Sequence, residues 1–340
     1  MANITDTLDN ITFPEVGVVE RVLVPIFDTL ILATGILGHS LVIVILSRKQ
    51  RGCGGNGARA AGSLGGQVTD ILLLSLSSAD LLLLISLPFH TVAIATGHWP
   101  FGSAMCKLMG FLGAVCTSAS AFTLAALAVA RYVIVVKPTT AYRWRRDVRI
   151  KLGTAALWLP AMVLAAPQLT WRTLDSGSNV NRELRDYYTH YQDLVCFNFL
   201  SPEGQLAYGM CHFLLAFMLP LGAIAVAYGR IFLYLRHARQ QQTTVDRMER
   251  YQSQVTQTSA LLVLAFALCW LPSYAFMFVQ LVGDSTVTGN SPRHGGFATF
   301  ARVMATSATV ANPILYGFMS RKFRKELKEM GQSACKNRLG

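Results

Sequence analysis

In 340 residues, apolar side chains make up 52%, charged ones only 14%, and mean hydropathy is +0.40. Soluble domains carry charge on about 25% of their residues, so this balance argues against a soluble enzyme or scaffold. A net charge of +12 would suit a nucleic-acid partner, but the basic residues are spread along the chain in a pattern that needs none.

Residues 1–21 lack an apolar core. They predict an N-terminal tail without a cleaved signal peptide, followed by a first helix that acts as its own insertion signal. Apolar blocks then recur at 22–46, 69–95, 103–136, 150–169, 205–235, 255–282 and 297–319. Each has about the 20 residues a helix needs to cross a bilayer core. Runs such as Ile71–Leu87 show almost no polar face, whereas a soluble helix would show one at helical spacing. The expected architecture is all-α: a seven-transmembrane bundle over 22–319 between an outer tail, 1–21, and an inner tail, 320–340.

Charge sets the orientation. With the N-terminus outside, segments 47–67, 137–151, 236–254 and 320–340 hold 21 Lys and Arg, against five in the outer segments. Basic residues are retained on the cytoplasmic side, where anionic lipid attracts each by about 1 kcal/mol. Membrane lipid accounts for the net charge, with no nucleic acid. Two glycosylation sequons, at Asn3 and Asn10, fall on the outer side.

The first inner loop, 51–67, is rich in Gly and Ala and predicts a flexible segment. The third, 236–254, alternates in charge and predicts extensions of its flanking helices. After the seventh block, Phe323 and Leu327 stand four residues apart among basic residues. That spacing suits a short amphipathic eighth helix on the inner leaflet, with Cys335 beyond it a candidate for palmitoylation. Cys116, Cys211 and Cys269 lie within helices as small apolar fillers. Cys106, opening the third helix, and Cys196, in the outer loop 170–204, are the pair facing the oxidising side. They predict a disulfide that pins the loop over the bundle mouth.

Ionisable groups at bilayer depth cost about 2.5–3.5 kcal/mol each, so each is a functional candidate. Asp80 stands in LSLSSADLLLL and Arg131 at the inner end of LAVARYVIV; Trp270 and Pro272 follow in FALCWLP, and Asn312, Pro313 and Tyr316 in NPILY. With Cys106, Trp158, Pro220 and Tyr228, this ordered set resembles the rhodopsin-like (class A) G-protein-coupled receptors from about residue 25 to 330. The segments SASAFTLAALAVARY and WPFGSAMCKL are most similar to the galanin, allatostatin and kisspeptin group of neuropeptide receptors.

The resemblance implies a plasma-membrane receptor for an extracellular peptide, coupled to a heterotrimeric G protein. It implies an inner switch of Arg131, Tyr228 and Tyr316 with Pro220 and Asn312, and ligand contact relayed by Trp270 and Phe266. It also implies no cofactor other than a sodium ion on Asp80 and Ser120. Gly113 stands where amine receptors carry an Asp and Thr306 where opsins carry the retinal Lys, which disfavours amine and retinal ligands. The departures fall around the switch. Ala130 and Gln252 replace the acids that restrain the arginine in relatives, His39 replaces an Asn, and Ala308 replaces a polar residue near the sodium. They raise either ligand-independent signalling or a scavenging receptor, with an orphan or lipid-ligand receptor as a further alternative.

The ligand site is expected in the outer half. Arg302, about three turns above Asn312, reads as the one cation in that mouth, meeting either an acidic ligand group or Asp28 of the first helix. By helical position His90, Thr117, Tyr208, His212, Ser273, Tyr274, Met277 and Gln280 line the same space. A transporter or channel would need polar linings that the first, second and sixth helices do not offer. No catalytic constellation or metal-ligand cluster is evident, so an enzyme is not expected.

Overall fold

The computed structural model describes residues 18–52, 64–96, 98–137, 147–176, 194–198, 202–240, 260–261, 263–278 and 296–319, together with Arg324 and Leu327. The sequons at Asn3 and Asn10, Gln252, Gln280, Cys335 and most of the two inner loops lie outside them. Arg324 and Leu327 are helical, but the remainder of the expected eighth helix also falls outside.

The first three spans are single helices, Val18–Gly52, Leu64–Thr96 and Gly102–Val136. The seventh is Gly296–Met319, and the described part of the sixth is Val263–Phe278. Five described helices are long and apolar enough to cross a membrane. Their outward faces are apolar: Leu37 and Val163 are each 72% exposed. Exposed apolar surface of this kind suits lipid and would be an aggregation hazard in water.

Proline shapes the fourth and fifth spans. The fourth is built from Asp147–Ala156, Trp158–Ala165 and Pro167–Trp171. Pro160 has no N–H to offer the Ala156 carbonyl, and the chain tightens just before it, with Leu157 N–H donating to the Thr154 carbonyl at 3.2 Å. The fifth runs from Pro202–His212 through a π-helical segment, Phe213–Met218, into Leu219–Gln240. Pro220 cannot donate to the Ala216 carbonyl, and the wider turn absorbs that loss.

The third span is the axis of the bundle and contributes the most extensive buried face, including Thr117, Ser118, Ser120, Thr123 and Arg131. Small residues let the neighbouring spans close on it. Ala79, Ala119, Ala161 and Ala165 pack around Val115, the close backbone approach that membrane helices use in place of hydrophobic driving force. Trp158 Nε1–H donates to Ser75 Oγ at 3.1 Å and ties the fourth span to the second.

The outer loop holds a two-stranded hairpin that its sequence pattern does not signal. Strands β1, Thr173–Ser176, and β2, Leu194–Asn198, pair antiparallel with Leu174 opposite Cys196. Cys196 is disulfide-bonded to Cys106 with a Cα–Cα separation of 5.5 Å, as expected. Trp99 and Phe101 pack edge to face at 5.2 Å, and Phe89 and Phe101 at 5.0 Å. These aromatics surround the disulfide and fix the hairpin to the outer ends of the second and third spans.

Candidate functional site

At the mouth, Asp28 of the first span is 2% exposed. Its Oδ2 accepts from Arg302 Nη2 at 2.7 Å and from Thr91 Oγ1 at 2.6 Å, which joins the first, second and seventh spans. The pairing of Arg302 with Asp28, one of the two alternatives open in the sequence, is thus formed. Arg302 is not the only cation there. Arg172, immediately after the fourth span, lies along Gly110 of the third; a β-carbon on Gly110 would fall 2.1 Å from its Nη1. Burial pulls the Arg172 guanidinium below its ordinary pKa, with the nearby Tyr208 acting in the opposite direction. The one mark of this inward fold in the sequence is Gly110, one turn after Cys106, where the absent β-carbon leaves room for the guanidinium.

The other expected wall residues divide by what their polar atoms do. His90 packs near Trp99, with ring centroids 5.8 Å apart. Thr117 Oγ1–H is spent on the Gly113 carbonyl of its own helix at 2.8 Å. Ser273 Oγ–H donates to the Ala301 carbonyl at 2.9 Å and links the sixth span to the seventh. Met277 fills the space opposite Gly209, where a β-carbon would meet its Sδ at 2.7 Å.

His212 and Tyr274 form a bridge. Ser118 Oγ–H donates to the Ala114 carbonyl at 2.8 Å, so toward His212 it can only accept. His212 Nε2–H therefore donates to Ser118 Oγ at 3.2 Å, and Nδ1 accepts from the Tyr274 hydroxyl at 3.0 Å. Third, fifth and sixth spans meet at this imidazole. From Tyr274 the contact continues inward through aromatic rings: Tyr274–Phe217 at 4.7 Å, Phe217–Phe266 at 6.2 Å and Phe266–Trp270 at 6.2 Å. The π-helical segment supplies Phe217, and Pro220 follows two residues after its end.

Deeper still, Asp80 is 4% exposed. Asn312 Nδ2–H donates to its Oδ2 at 2.5 Å and Ser120 Oγ–H to its Oδ1 at 3.3 Å. His39 Nε2 stands 3.6 Å from Oδ2, but its hydrogen bond goes elsewhere. Pro313 leaves the Thr309 carbonyl without its helical partner, and His39 Nε2–H caps that carbonyl at 2.6 Å. Gly38 makes the approach feasible, since a β-carbon there would fall 2.8 Å from the Pro313 ring.

As a sodium site the set fits poorly. Asp80 and Ser120 provide oxygens, but Asn312 and His39 present nitrogen and Ala308 provides no donor, whereas hard cations prefer several oxygens. Arg131 is buried at the inner end of the third span beside Ala130 and is not without a partner. Tyr228 is half-buried and likewise partnered. The backbone of Tyr316 is helical, and its side chain lies outside the described residues.

Residues 62–316 match the family described as "7 transmembrane receptor (rhodopsin family)". Somatostatin receptor type 5 of Bos taurus is 30% identical over 313 residues, covering 91% of this chain and 76% of that protein. Neuropeptide Y receptor type 1 of Xenopus laevis is 31% identical over 334 residues, covering 94% and 84%. Neuropeptide Y receptor type 6 of Mus musculus is 30% identical over 309 residues, covering 88% and 77%. The chain belongs to the rhodopsin family of seven-transmembrane receptors, in the company of neuropeptide receptors, and as such is a multi-pass plasma-membrane receptor and not an enzyme.

Proposed function

We propose that this receptor binds an extracellular, galanin-like neuropeptide in the outer half of the bundle and relays its presence to a heterotrimeric G protein at the inner end. The supporting observation is the unbroken contact from the His212–Tyr274 bridge through Phe217 and Phe266 to Trp270. A ligand that shifts His212 or Tyr274 moves packed rings, and packed cores change between discrete arrangements instead of deforming smoothly. A panel of neuropeptides scored by G-protein dissociation in cells tests this. At least one peptide should activate the native chain, and Tyr274→Phe should lower the maximal response more than the affinity. Peptide uptake without G-protein activation by any member would replace this reading with a scavenging receptor.

Raised basal signalling is part of the same reading. Residue 130 is Ala where relatives carry an acid, so the resting position of Arg131 lacks that particular restraint. Loss of about 1.4 kcal/mol of bias toward the resting state raises a rare active population roughly tenfold. Sodium, in this reading, has a small role, because the Asn312 amide and the His39 ring occupy the surroundings of Asp80 that the ion would need. A sodium titration of agonist binding tests it: His39→Asn should gain sodium sensitivity, and strong inhibition in the native chain would count against it. Glycosylation of Asn3 and Asn10 and palmitoylation of Cys335 complete the proposal, each open to mass mapping.

A further inference from the structure

We infer that the fifth span splints the proline hinge of the sixth, and that His212 is the fastener that keeps this hinge at rest. The inference deepens the relay reading by naming the residue that holds the relay still. It rests on that reading only in taking the sixth span as the moving part.

Pro272 has no N–H to offer the Leu268 carbonyl, and a helix is free to bend where such a bond is missing. Tyr274 and Phe278 stand beyond Pro272 on the outer arm, and Phe266 and Trp270 before it on the inner arm. Two rings of the fifth span reach across the hinge. Phe213 meets Phe278 at 5.0 Å and Tyr274 at 5.2 Å. Phe217 meets Tyr274 at 4.7 Å and Phe266 at 6.2 Å. A bend at Pro272 therefore has to drag one arm over rings that also touch the other.

Ring contacts tolerate sliding, whereas a hydrogen bond weakens steeply off its axis. The directional restraint is at His212, whose Nδ1 accepts from the Tyr274 hydroxyl and whose Nε2–H donates to Ser118 Oγ of the third span. The Ser118 proton is committed to the Ala114 carbonyl, so the donors all run one way along the chain, and such chains strengthen their members. The π-helical segment lets the fifth span grip Tyr274 twice. In an α-helix, residues five apart, such as His212 and Phe217, point about 140° apart. With the wider bonding, as from Leu219 N–H to the Leu214 carbonyl, they come nearly into line. His212 is thus a positioning residue that acts through Tyr274.

Two measurements on the purified full-length chain test this. The first is a set of melting temperatures. Ser118 and Tyr274 lie on different spans and are linked through the imidazole, so Ser118→Ala and Tyr274→Phe together should lower the melting temperature by less than the sum of the two. In a His212→Phe background the same two changes should add. The second is the rate at which iodoacetamide alkylates Cys269, read by peptide mass. Cys269 lies in the turn that Pro272 loosens, is 8% exposed, and has its Sγ 3.7 Å from Ser307 Oγ of the seventh span. His212→Phe keeps a ring and loses both bonds. It should raise the rate about two- to tenfold, the shift in a minor population expected from losing one net hydrogen bond. His212→Gln, whose amide can donate to Ser118 and accept from Tyr274, should return the rate toward that of the native chain. If His212→Phe does not fold, His212→Leu takes its place.

Additive losses in the native chain, coupling that persists without the imidazole, or alkylation of Cys269 raised equally or not at all by His212→Phe and His212→Gln would overturn the inference. Neither readout needs a G protein, so the two readings fail separately. The expected coupling and alkylation, with no G-protein activation by any peptide, would sink the coupled-receptor reading and keep this one. Activation by a peptide, with Cys269 indifferent to His212, would do the reverse.

Discussion

The inner and outer halves of the bundle are held together in different ways. Around Asp80 of the second span, side chains from the third and seventh spans converge on its carboxylate, and His39 of the first caps the proline-freed Thr309 carbonyl beside it. In the outer half the ties are separate: Asp28 with Arg302 and Thr91 on one side, Ser118 with His212 and Tyr274 on the other, and the disulfide over the top. The space next to Gly113 lies open. A converging network resists local change because each member supports the others, whereas single ties can yield one at a time. The outer half is therefore suited to receiving a ligand, and the inner half to holding a resting state until rings such as Phe217 and Trp270 move.

The largest expected effect comes from removing the covalent tie of the outer half. Cys106 and Cys196 are 90 residues apart in sequence, and closing a loop of that length restricts the unfolded chain by roughly 4–5 kcal/mol. Cys196→Ala should abolish most surface expression, measured by antibody labelling of intact cells. Free thiols at both positions in the mature protein would contradict the loop arrangement.

Next comes the ion pair at the mouth. Arg302→Gln strands the buried Asp28 carboxylate and should cost about 3 kcal/mol. Asp28→Asn leaves an arginine that can reach water and should cost clearly less. Thermal unfolding of the purified receptor measures both, and the double variant should be milder than the sum of the two. Additive losses would show that the two residues act independently and that this tie is weak.

In the inner half, His39→Ala uncovers the buried Thr309 carbonyl and should destabilise by about 1–3 kcal/mol. His39→Asn, which can still donate, should recover part of the loss. No recovery would assign His39 to packing alone. The smallest effect is expected from Ser273→Ala, which removes one bond to the Ala301 carbonyl. At about 0.6 kcal/mol, the average for such bonds between membrane helices, it should move the melting temperature only slightly. A loss as large as that of His39→Ala would erase the contrast between the halves.

The spans were legible because a bilayer forces about 20 apolar residues into each crossing, and the disulfide because only Cys106 and Cys196 face the oxidising side. Other features carry no such compulsion. β1 and β2 are short segments of a polar loop whose pairing depends on where Cys106 holds Cys196. Arg172 read as a loop residue because its inward course depends on a missing β-carbon some sixty positions earlier, at Gly110. Helical position places Thr117 and Ser273 on the inner faces of their helices but does not give the carbonyl each hydroxyl will choose. His39 stands out in the sequence as a departure near Asp80, yet its capping of a carbonyl freed by Pro313 follows only from the two spans lying side by side.

Whether occupancy of the outer half reaches the cytoplasm through an arginine switch is the central question. It is tested most directly by basal G-protein activation per receptor, at matched surface expression, in the native chain, Ala130→Asp and Arg131→Ala. The native chain should signal without ligand, Ala130→Asp should signal several times less, and Arg131→Ala should not signal. Equal basal activity in the native chain and Ala130→Asp, or undiminished activity in Arg131→Ala, would contradict the account.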